Sequence, residues 1–457
     1  MKTVAKRKQS KVHYQEINES LFPSFVENEF EKEEQKPGFV FEPAVAIDLS
    51  FRNHATQYLT HSFHSYPAKF IPQLPTWLMH EYSKEGDTIL EPFAGSGTTL
   101  VEAILNNRNC YGTEINPIGR LTSAAKSTPI HSLALHKLKD ELYRTINSLM
   151  NKHISNDGMF TRSKPTFDLW TPKLDHIEKW FLREVIIELA VLRKAILEIG
   201  DEKFKTLALV AFSSIVKLVS NARTDERNPK LRKELRDKPN TIKIFKTKLD
   251  KMSLDLSEYS ERVKGKRVEA KIIGSDARNV PLKKNSVDLV ITSPPYAYAM
   301  DYVRMHKLSL YWLGEEDLIE LDKQFVGTER VYSNIYQEDF RYDIPFVDNI
   351  IQQMKKMNKK KAYIVYNYFE DMRKCFQEMY RVMKPKATAA IVIGNSTVQK
   401  VEIPTHICFN EIAAQIGFNV LPALERKVPL ESKGLANVHV EYGGEMVQKE
   451  YINIFVK

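Results

Sequence analysis

Cysteine is scarce in this sequence of 457 residues, which contains only Cys110, Cys375 and Cys408. The three residues lie far apart, so they form neither a disulfide framework nor the closely spaced cysteine pair of a zinc site. The sequence therefore predicts a protein of a reducing compartment, and we expect a cytoplasmic location.

Long hydrophobic runs are also missing. No stretch approaches the roughly 18 uncharged apolar residues of a membrane span, and the basic start Met1–Lys8 has no apolar segment behind it. We therefore expect neither a membrane segment nor an export signal. Residues 1–45 are polar and charged and predict a flexible arm, whereas a hydrophobic content of 43% excludes wholesale disorder of the chain.

Basic residues exceed acidic ones by 67 to 58, and much of the net charge of +9 lies in one segment. Between Arg223 and Lys251 there are eleven basic and five acidic residues. Two interpretations are open: an ordinary solvated helical face, or a surface that contacts nucleic-acid phosphates. We favour phosphate contact, and the candidate DNA-binding residues are Arg223, Arg227, Lys230, Arg232, Lys233 and Arg236.

Short apolar runs that alternate with helical patterns predict an α/β fold with a mostly parallel sheet. The predicted strands are Thr88–Phe93, Cys110–Ile115, Ala270–Ile273, Val287–Thr292, Thr388–Ile393, Asn419–Val428 and Tyr451–Val456, the last two forming an antiparallel hairpin with a Gly443–Gly444 turn. Residues 117–266 interrupt this alternation with helical periodicity alone. We therefore predict a catalytic core of residues 46–116 and 267–457, and a helical insertion, 117–266, as a candidate DNA-binding or target-recognition region.

The first strand runs directly into a Gly-x-Gly turn. Gly95 and Gly97 lack a Cβ atom and tolerate positive φ, so a ligand can approach the backbone there, although an ordinary tight turn is the alternative. The turn lacks both the Gly-Lys-Ser/Thr ending of a P-loop and the third glycine of a dinucleotide site. A nucleoside with few phosphate contacts fits better, and Glu114, at the end of the second strand, is placed to accept both ribose hydroxyls.

The third strand ends close to Asp276, for which two roles are open. Its carboxylate can cap a helix, or it can accept a hydrogen bond from an adenine amino group. Because the carboxyl ends of parallel strands meet at one edge of a sheet, Asp276 is expected near Glu114 and the glycine turn. That expected neighbourhood favours the ligand-binding role.

The segment Thr-Ser-Pro-Pro-Tyr follows the fourth strand. Pro294 and Pro295 remove two N–H donors, so the backbone carbonyls there lack a sheet partner, although a simple strand terminator is the alternative. An exocyclic amino group has two hydrogens, which the Ser293 hydroxyl and the Pro294 carbonyl could accept. The ring of Tyr296 offers a flat face on which a planar base can stack.

These motifs together resemble the amino-directed DNA methyltransferases that use S-adenosylmethionine. The resemblance rests on the Glu-Pro-Phe-Ala-Gly-Ser-Gly turn, on Glu114, on Asp276 and on Thr-Ser-Pro-Pro-Tyr. It implies a Rossmann-like class I methyltransferase fold, with a mostly parallel seven-stranded sheet and a large helical insertion. The implied catalytic residues are Ser293, Pro294, Pro295 and Tyr296. The implied cofactor-binding residues are Tyr66, Lys69, Glu91, Pro92, Phe93, Gly95, Ser96, Gly97, Thr98, Glu114, Asn116, Asp276 and Ala277.

In the family that this chain resembles, a serine at the position of Ser293 is associated with methylation of the cytosine amino group. The resemblance therefore implies N4-cytosine methylation of double-stranded DNA, with the target base flipped out of the helix. No cysteine has the Pro-Cys context of ring-carbon methylation. A restriction-modification or phage-defence system, with a cognate restriction endonuclease as partner, is the expected setting.

Other functions remain open at this point. An adenine-N6 DNA methyltransferase and an RNA base methyltransferase use similar loops, and a catalytically silent nucleic-acid binder is a different class. His61 and His64 could suggest a metal, but no cysteine or acidic pair completes a site, so none is expected. The helical insertion lies between the second and third strands rather than in the family's usual places, which leaves the base-reading segment unassigned.

Overall fold

The structure is a computed structural model. It describes residues 41–51, 54–156, 169–226, 228–234, 237–297, 301–328, 330, 339–428 and 449–457. Residues 1–40 of the predicted arm and the predicted Gly443–Gly444 turn lie outside the described residues. Within the described ranges, no helix is long and apolar enough to cross a membrane.

The strands of the described chain are β1 Val45–Ala46, β2 Thr88–Glu91, β3 Asn109–Thr113, β4 Ala270–Gly274, β5 Val287–Thr292, β6 Met383–Ile393, β7 Ser396–Val398, β8 Val401–Ile403, β9 Asn419–Lys427 and β10 Lys449–Val456. The helices of the first half are α1 Gln73–Tyr82, α2 Thr98–Leu105, α3 Pro117–Ser127, α4 Ser132–Asn156, α5 Ile177–Trp180, α6 Arg183–Leu197, α7 Glu202–Val219 and α8 Thr241–Val263. Those of the second half are α9 Tyr302–Leu313, α10 Leu318–Gln324, α11 Pro345–Met357, α12 Lys359–Val382 and α13 Thr405–Ile416.

Eight of the strands form one sheet in the order β1-β9-β10-β6-β5-β2-β3-β4. Only β10 runs antiparallel to its neighbours, β6 and β9. The chain moves outward from β2 to β3 and β4, and then returns to β5 on the other side of β2. This reversal is the topological switch point at which open α/β sheets bind their ligands.

The predicted α/β fold class, with its mostly parallel sheet and helical insertion, is confirmed. The sheet has eight strands rather than seven, because the two-residue strand β1 pairs with β9 at one edge. The last two strands do form the predicted antiparallel hairpin. The first predicted strand is shorter than expected and ends at Glu91, since Pro92 has no N–H to continue the ladder.

Local sequence signals explain where the helices beside the site begin. The Asn116 side chain accepts a hydrogen bond from the Ile118 N–H, and Pro117 occupies the first position of α3. Helix α2 begins directly after Gly97, whose backbone is left-handed. Both starts place backbone N–H groups close to the carboxyl ends of β2 and β3.

The inserted helices α3 to α8 lie between β3 and β4 and share one apolar core. That core also contains Val101 from α2 and Trp312 from α9, so the insertion packs directly on the elements that flank the switch point. The helical pattern of the insertion is interrupted between α5 and α6, where the backbone at Phe181 and Leu182 is extended and the Phe181 ring packs against Trp312.

Candidate cofactor and base site

A pocket lies at the switch point, beside the carboxyl ends of β2 and β5. Most residues predicted from the sequence line this pocket: Tyr66, Lys69, Glu91, Pro92, Phe93, Gly95, Ser96, Thr98, Glu114, Asp276, Ala277, Ser293, Pro295 and Tyr296. The other three predicted residues, Gly97, Asn116 and Pro294, are sequence neighbours of lining residues. The topology of the sheet therefore joins the glycine turn and the Thr-Ser-Pro-Pro-Tyr loop in one site.

The glycine turn needs its glycines for steric reasons. Gly95 and Gly97 have φ values of +52° and +77°. A Cβ atom on Gly97 would lie 2.7 Å from the Cα atom of Ser123 in α3. The Ser123 hydroxyl in turn donates to the Gly95 carbonyl at 2.9 Å, so the turn is held against α3.

Replacing Gly97 with alanine is expected to destabilise the fold and to weaken cofactor binding. The new Cβ atom would clash with the backbone of Ser123, and moving that backbone costs free energy. Gly86→Ala is the matched control, since Gly86 has a φ of +86° but nothing within 4 Å of its Cβ position. Gly86→Ala should cost about 1 kcal/mol of unfolding free energy from φ strain alone. Chemical denaturation should show a clearly larger loss for Gly97→Ala; equal losses would mean that the contact with Ser123 is unimportant.

Glu114 is buried at the end of β3 and already accepts two backbone hydrogen bonds. The Gly95 N–H donates to Oε2 at 2.6 Å, and the Asn116 N–H donates to Oε1 at 2.7 Å. Burial raises the pKa of Glu114 to about 7, although these hydrogen bonds favour the ionised form. A carboxylate can accept about four hydrogen bonds, so two remain for a pair of ligand hydroxyls.

Glu91 is a second buried acid that lines the pocket. The Thr99 hydroxyl donates to Glu91 Oε2 at 2.8 Å, and the Phe93 N–H donates to Oε1 at 3.3 Å. Burial raises the pKa of Glu91 to about 8. Its side chain is therefore largely protonated at neutral pH and ties the end of β2 to the start of α2.

Asp276 lines the pocket, but its carboxylate is largely engaged by its own loop. The Arg278 side chain donates to both carboxylate oxygens at 2.9–3.2 Å, and the Arg278 N–H donates to Oδ1 at 2.9 Å. Arg278 also pairs with Asp371 at 3.0 Å. The helix cap that the sequence left open is not formed, because no helix of the described chain lies between Asp276 and β5, and the carboxylate instead stabilises a turn. This leaves fewer acceptor sites for an adenine amino group.

Residues 59–70 form one wall of the pocket through Tyr66. Its hydroxyl accepts from the Asn116 amide at 3.2 Å, and its ring stacks on Tyr302 and His306 at centroid distances of 5.8 and 5.5 Å. Lys69 also lines the pocket, and its ammonium donates to the His61 carbonyl at 2.9 Å. This predicted segment therefore does contact the site.

The two histidines of that segment have structural partners. His61 Nε2 lies 2.8 Å from Glu102 Oε1 in a buried pair, and the His64 ring packs against His306. In the ranges that the structure describes, no group of three or more His, Cys, Asp and Glu side chains is placed to hold a metal ion. The absence of a metal stays a prediction.

The loop after β5 presents Ser293 to the pocket. For this hydroxyl, the structure records no hydrogen bond to any described residue, so it is available to a ligand. The Tyr368 hydroxyl donates to the Pro295 carbonyl at 2.8 Å, and the Tyr296 hydroxyl donates to Glu450 Oε1 at 3.1 Å. The loop is therefore anchored at its second proline and at the tyrosine that follows it.

A further wall of the pocket was not predicted from the sequence. It consists of residues at the start of α9 and after α10: Asp301, Tyr302, Asp322, Phe325, Val326, Gly327 and Thr328. Tyr302 stacks on Tyr66 at 5.8 Å and on Phe325 at 6.3 Å, which continues the aromatic wall. The closeness of Tyr302 to the catalytic loop in sequence was a usable signal, whereas Phe325 lies in no recognisable motif.

The basic segment is only partly as predicted. Its described part up to residue 240 is not helical, and α8 begins at Thr241. Arg223 pairs with Asp225 at 2.7 Å, and Lys230 pairs with Glu226 at 2.9 Å. Arg232 donates to a backbone carbonyl, and Lys233 is exposed with no ion pair recorded to a described residue. The remaining candidates, Arg227 and Arg236, lie outside the described residues.

A glycine turn after β2, a buried acid after β3 and the Thr-Ser-Pro-Pro-Tyr loop after β5 meet in one pocket, which is the arrangement of the S-adenosylmethionine-dependent methyltransferases. The pocket fits this cofactor: Glu114 has two acceptor sites to spare, and the buried Ser96 hydroxyl has no hydrogen-bond partner among the described residues. The sequence model of the N6/N4 DNA methylase family matches residues 2–119 and 287–457. The chain belongs to this family of DNA amino methyltransferases, and its cofactor is S-adenosylmethionine.

Characterised relatives extend along most of the chain. Type II methyltransferase M.MvaI of Kocuria varians is 30% identical over 403 residues, which cover 83% of this chain and 87% of that protein. Type II methyltransferase M.BsoBI of Geobacillus stearothermophilus is 25% identical over 439 residues, covering 87% and 85%. An S-adenosylmethionine-dependent methyltransferase structure from Methanosarcina mazei covers 83% of this chain and 96% of its own, at 8% identity and a TM-score of 0.30, which supports no further conclusion.

Proposed function

We propose that this DNA methyltransferase is site-specific and transfers the methyl group to the exocyclic N4 amino group of cytosine. The observation that carries the proposal is Ser293, which lines the pocket at the position where adenine enzymes of the resembled family usually have an aspartate. Its hydroxyl has no hydrogen bond recorded to a described residue. A serine hydroxyl is a neutral acceptor, which suits the amino group of cytosine beside the cofactor.

In this proposal, the protein acts by orientation rather than by covalent catalysis. The cofactor supplies a methyl group that is already activated on sulfur. The Ser293 hydroxyl and the Pro294 carbonyl would accept hydrogen bonds from the two amino hydrogens and direct the nitrogen lone pair toward the methyl donor. The nitrogen would gain the methyl group as the carbon–sulfur bond of the donor breaks, and it would then release one proton to solvent water. Tyr296 stacks on the flipped base and replaces part of the stacking lost from the duplex. The three cysteines are buried, and burial raises the pKa of their thiols, so none is a suitable nucleophile.

Methylation of adenine N6 in DNA is the second candidate, because the matched family includes both N6 and N4 enzymes. The serine at position 293 favours cytosine. RNA methylation is a weaker candidate, since the family and the relatives reported above are DNA enzymes. Most of the predicted catalytic and cofactor-binding residues line the same pocket, which argues against a catalytically silent binder.

A transfer assay with tritiated S-adenosylmethionine separates these candidates. The purified protein is incubated with duplex DNA or with RNA, and the labelled polymer is hydrolysed to nucleosides. We expect label in DNA alone, in a methylated cytosine nucleoside. Labelled RNA without labelled DNA would reject the DNA substrate, and label confined to adenosine would reject the cytosine assignment.

We propose that the helical insertion contacts the phosphates of the DNA backbone through its basic segment, residues 223–251. Lys233 is the best described candidate, because it is exposed and no acidic partner is recorded for it among the described residues. Arg223 and Lys230 would first have to leave their acidic neighbours, and Arg232 supports the local fold. A phosphate contact at Lys233 releases about one counterion.

Replacing Lys233 with glutamate should therefore weaken DNA binding and reduce the slope of log affinity against log salt by about 1. Fluorescence anisotropy with a labelled duplex at several salt concentrations measures both quantities. Lys233→Arg keeps the charge and is the control. If Lys233→Glu leaves affinity and slope unchanged, the segment around it is an ordinary solvated surface.

A restriction endonuclease that cleaves the same site is the proposed partner in the cell. The support is that the reported relatives are named Type II methyltransferases. Methylation would then protect the host DNA from that endonuclease.

A further inference from the structure

The hydroxyl of Tyr296 is held by a buried ion pair between β9 and β10. Tyr296 is 8% exposed, and its hydroxyl donates to Glu450 Oε1 at 3.1 Å. Glu450 Oε2 accepts two hydrogen bonds from Arg426, at 2.9 and 2.5 Å. A third Arg426 N–H group donates to the Leu49 carbonyl at 3.0 Å. A continuous chain of hydrogen bonds thus joins the backbone near β1 to the catalytic loop.

This ion pair occupies an unusual place in its hairpin. Glu450 and Arg426 are directly opposite each other in β10 and β9, and they are only 4% and 6% exposed. The neighbouring pair of the same hairpin, Lys449 and Glu425, reaches a comparable distance of 2.9 Å but is partly exposed. Burying two charges is costly, and a surface pair would serve the hairpin equally well.

The buried pair gives the Tyr296 hydroxyl a fixed acceptor. Burial, with the Glu450 carboxylate beside it, holds the pKa of the Tyr296 phenol well above its usual range. The hydroxyl therefore keeps its proton and remains a donor at working pH. Because Arg426 occupies the other carboxylate oxygen through two N–H groups, the carboxylate of Glu450 has one orientation.

The catalytic loop needs such an anchor. Its two prolines have no N–H groups to join the sheet, and the Pro295 carbonyl is held by Tyr368 rather than by a strand. If the orientation of the ring is fixed before the base binds, the entropy lost in ordering the ring no longer opposes the reaction. A preoriented ring therefore gives a faster methyl transfer.

We propose that Glu450 and Arg426 are positioning residues for the methyl transfer, which fix the ring of Tyr296 in the orientation that stacks on the flipped base. The inference rests on the stacking role proposed above for Tyr296. It assigns a task in the reaction to two residues that lie outside the catalytic loop, Glu450 being 154 positions beyond Tyr296 in sequence.

A double-mutant cycle on the single-turnover rate, at saturating cofactor and DNA, tests the proposal. Tyr296→Phe keeps the ring and removes the donor, and Glu450→Gln keeps the shape and removes the charge. Each should lower the rate about tenfold, the value of one hydrogen bond to a charged group. If Glu450 acts through the tyrosine hydroxyl, Glu450→Gln should change the rate less than about twofold in the Tyr296→Phe background.

The controls separate positioning from stability. Glu450→Gln should also lower the melting temperature, and that loss should persist in the Tyr296→Phe background although the rate effect does not. Glu425→Gln removes the exposed pair of the same hairpin and should leave the rate unchanged. If Glu450→Gln does not fold, Glu450→Asp, which keeps the charge but shortens the side chain, takes its place in the cycle.

Independent, multiplicative effects of the two substitutions on the rate would overturn the proposal. A normal rate for Tyr296→Ala would instead remove the stacking role on which the inference rests. The two failures are thus distinguishable: an impaired Tyr296→Ala enzyme with a multiplicative cycle rejects only the positioning role of Glu450.

Discussion

The substitution Tyr296→Ala is expected to lower the single-turnover rate of methyl transfer by about 10–100-fold, with the affinity for S-adenosylmethionine nearly unchanged. The range follows from base–aromatic stacking, which contributes about 1–3 kcal/mol for each base. The cofactor affinity should survive because the glycine turn and Glu114 come from other strands. Rapid-quench kinetics with labelled cofactor measure the rate, and calorimetric titration measures the affinity.

Tyr296→Phe is the matched control for this experiment, because it retains the stacking ring and loses only the hydroxyl. Its rate should lie between those of the unsubstituted and the alanine enzymes. The stacking role is rejected if Tyr296→Ala turns over at the normal rate. A loss of cofactor affinity as large as the loss of rate would show that Tyr296 supports the whole pocket rather than the base.

The substitution Glu114→Gln should weaken the binding of S-adenosylmethionine by about 10–100-fold, because the ribose hydroxyls lose a charged acceptor worth about 1.5–3 kcal/mol. The amide must also turn its NH₂ group toward either the Gly95 or the Asn116 N–H, both of which now donate to the carboxylate. Calorimetric titration of the cofactor into the purified protein measures the change. DNA binding without cofactor is the internal control and should be unaffected.

The same residue predicts how cofactor affinity depends on pH. The pKa of Glu114 in the free protein is raised to about 7, and the ionised carboxylate is the better acceptor for ribose hydroxyls. Affinity should therefore rise as pH increases through about 7, and Glu114→Gln should lose this rise. A flat profile for the unsubstituted protein would contradict the role of Glu114.

The parts of the site that lie at strand ends could be predicted from the sequence. Gly95, Glu114 and Ser293 each follow a buried strand, and parallel strands bring their carboxyl ends together at one edge. The positive φ that Gly97 tolerates and the N–H that Pro294 lacks are properties of single residue types. Both could therefore be recognised from a short stretch of sequence. The fold class follows from the same alternation of strands and helices.

The parts that depend on long-range contacts could not be predicted. Glu450 reaches Tyr296 across 154 positions of sequence, and neither Glu450 nor Arg426 belongs to a motif. Phe325 reaches the pocket only because α9 and α10 fold back over it. The segment before Thr241 has charge but no regular structure in its described part, since its residues pair locally with one another.

The measurement that tests the central claim most directly is mass spectrometry of the nucleosides of duplex DNA after methylation by the purified protein. The serine at position 293 of the pocket predicts N4-methyl-deoxycytidine as the new nucleoside, and Tyr296→Ala should give much less of it at equal times. N6-methyl-deoxyadenosine as the only new nucleoside would contradict the cytosine assignment.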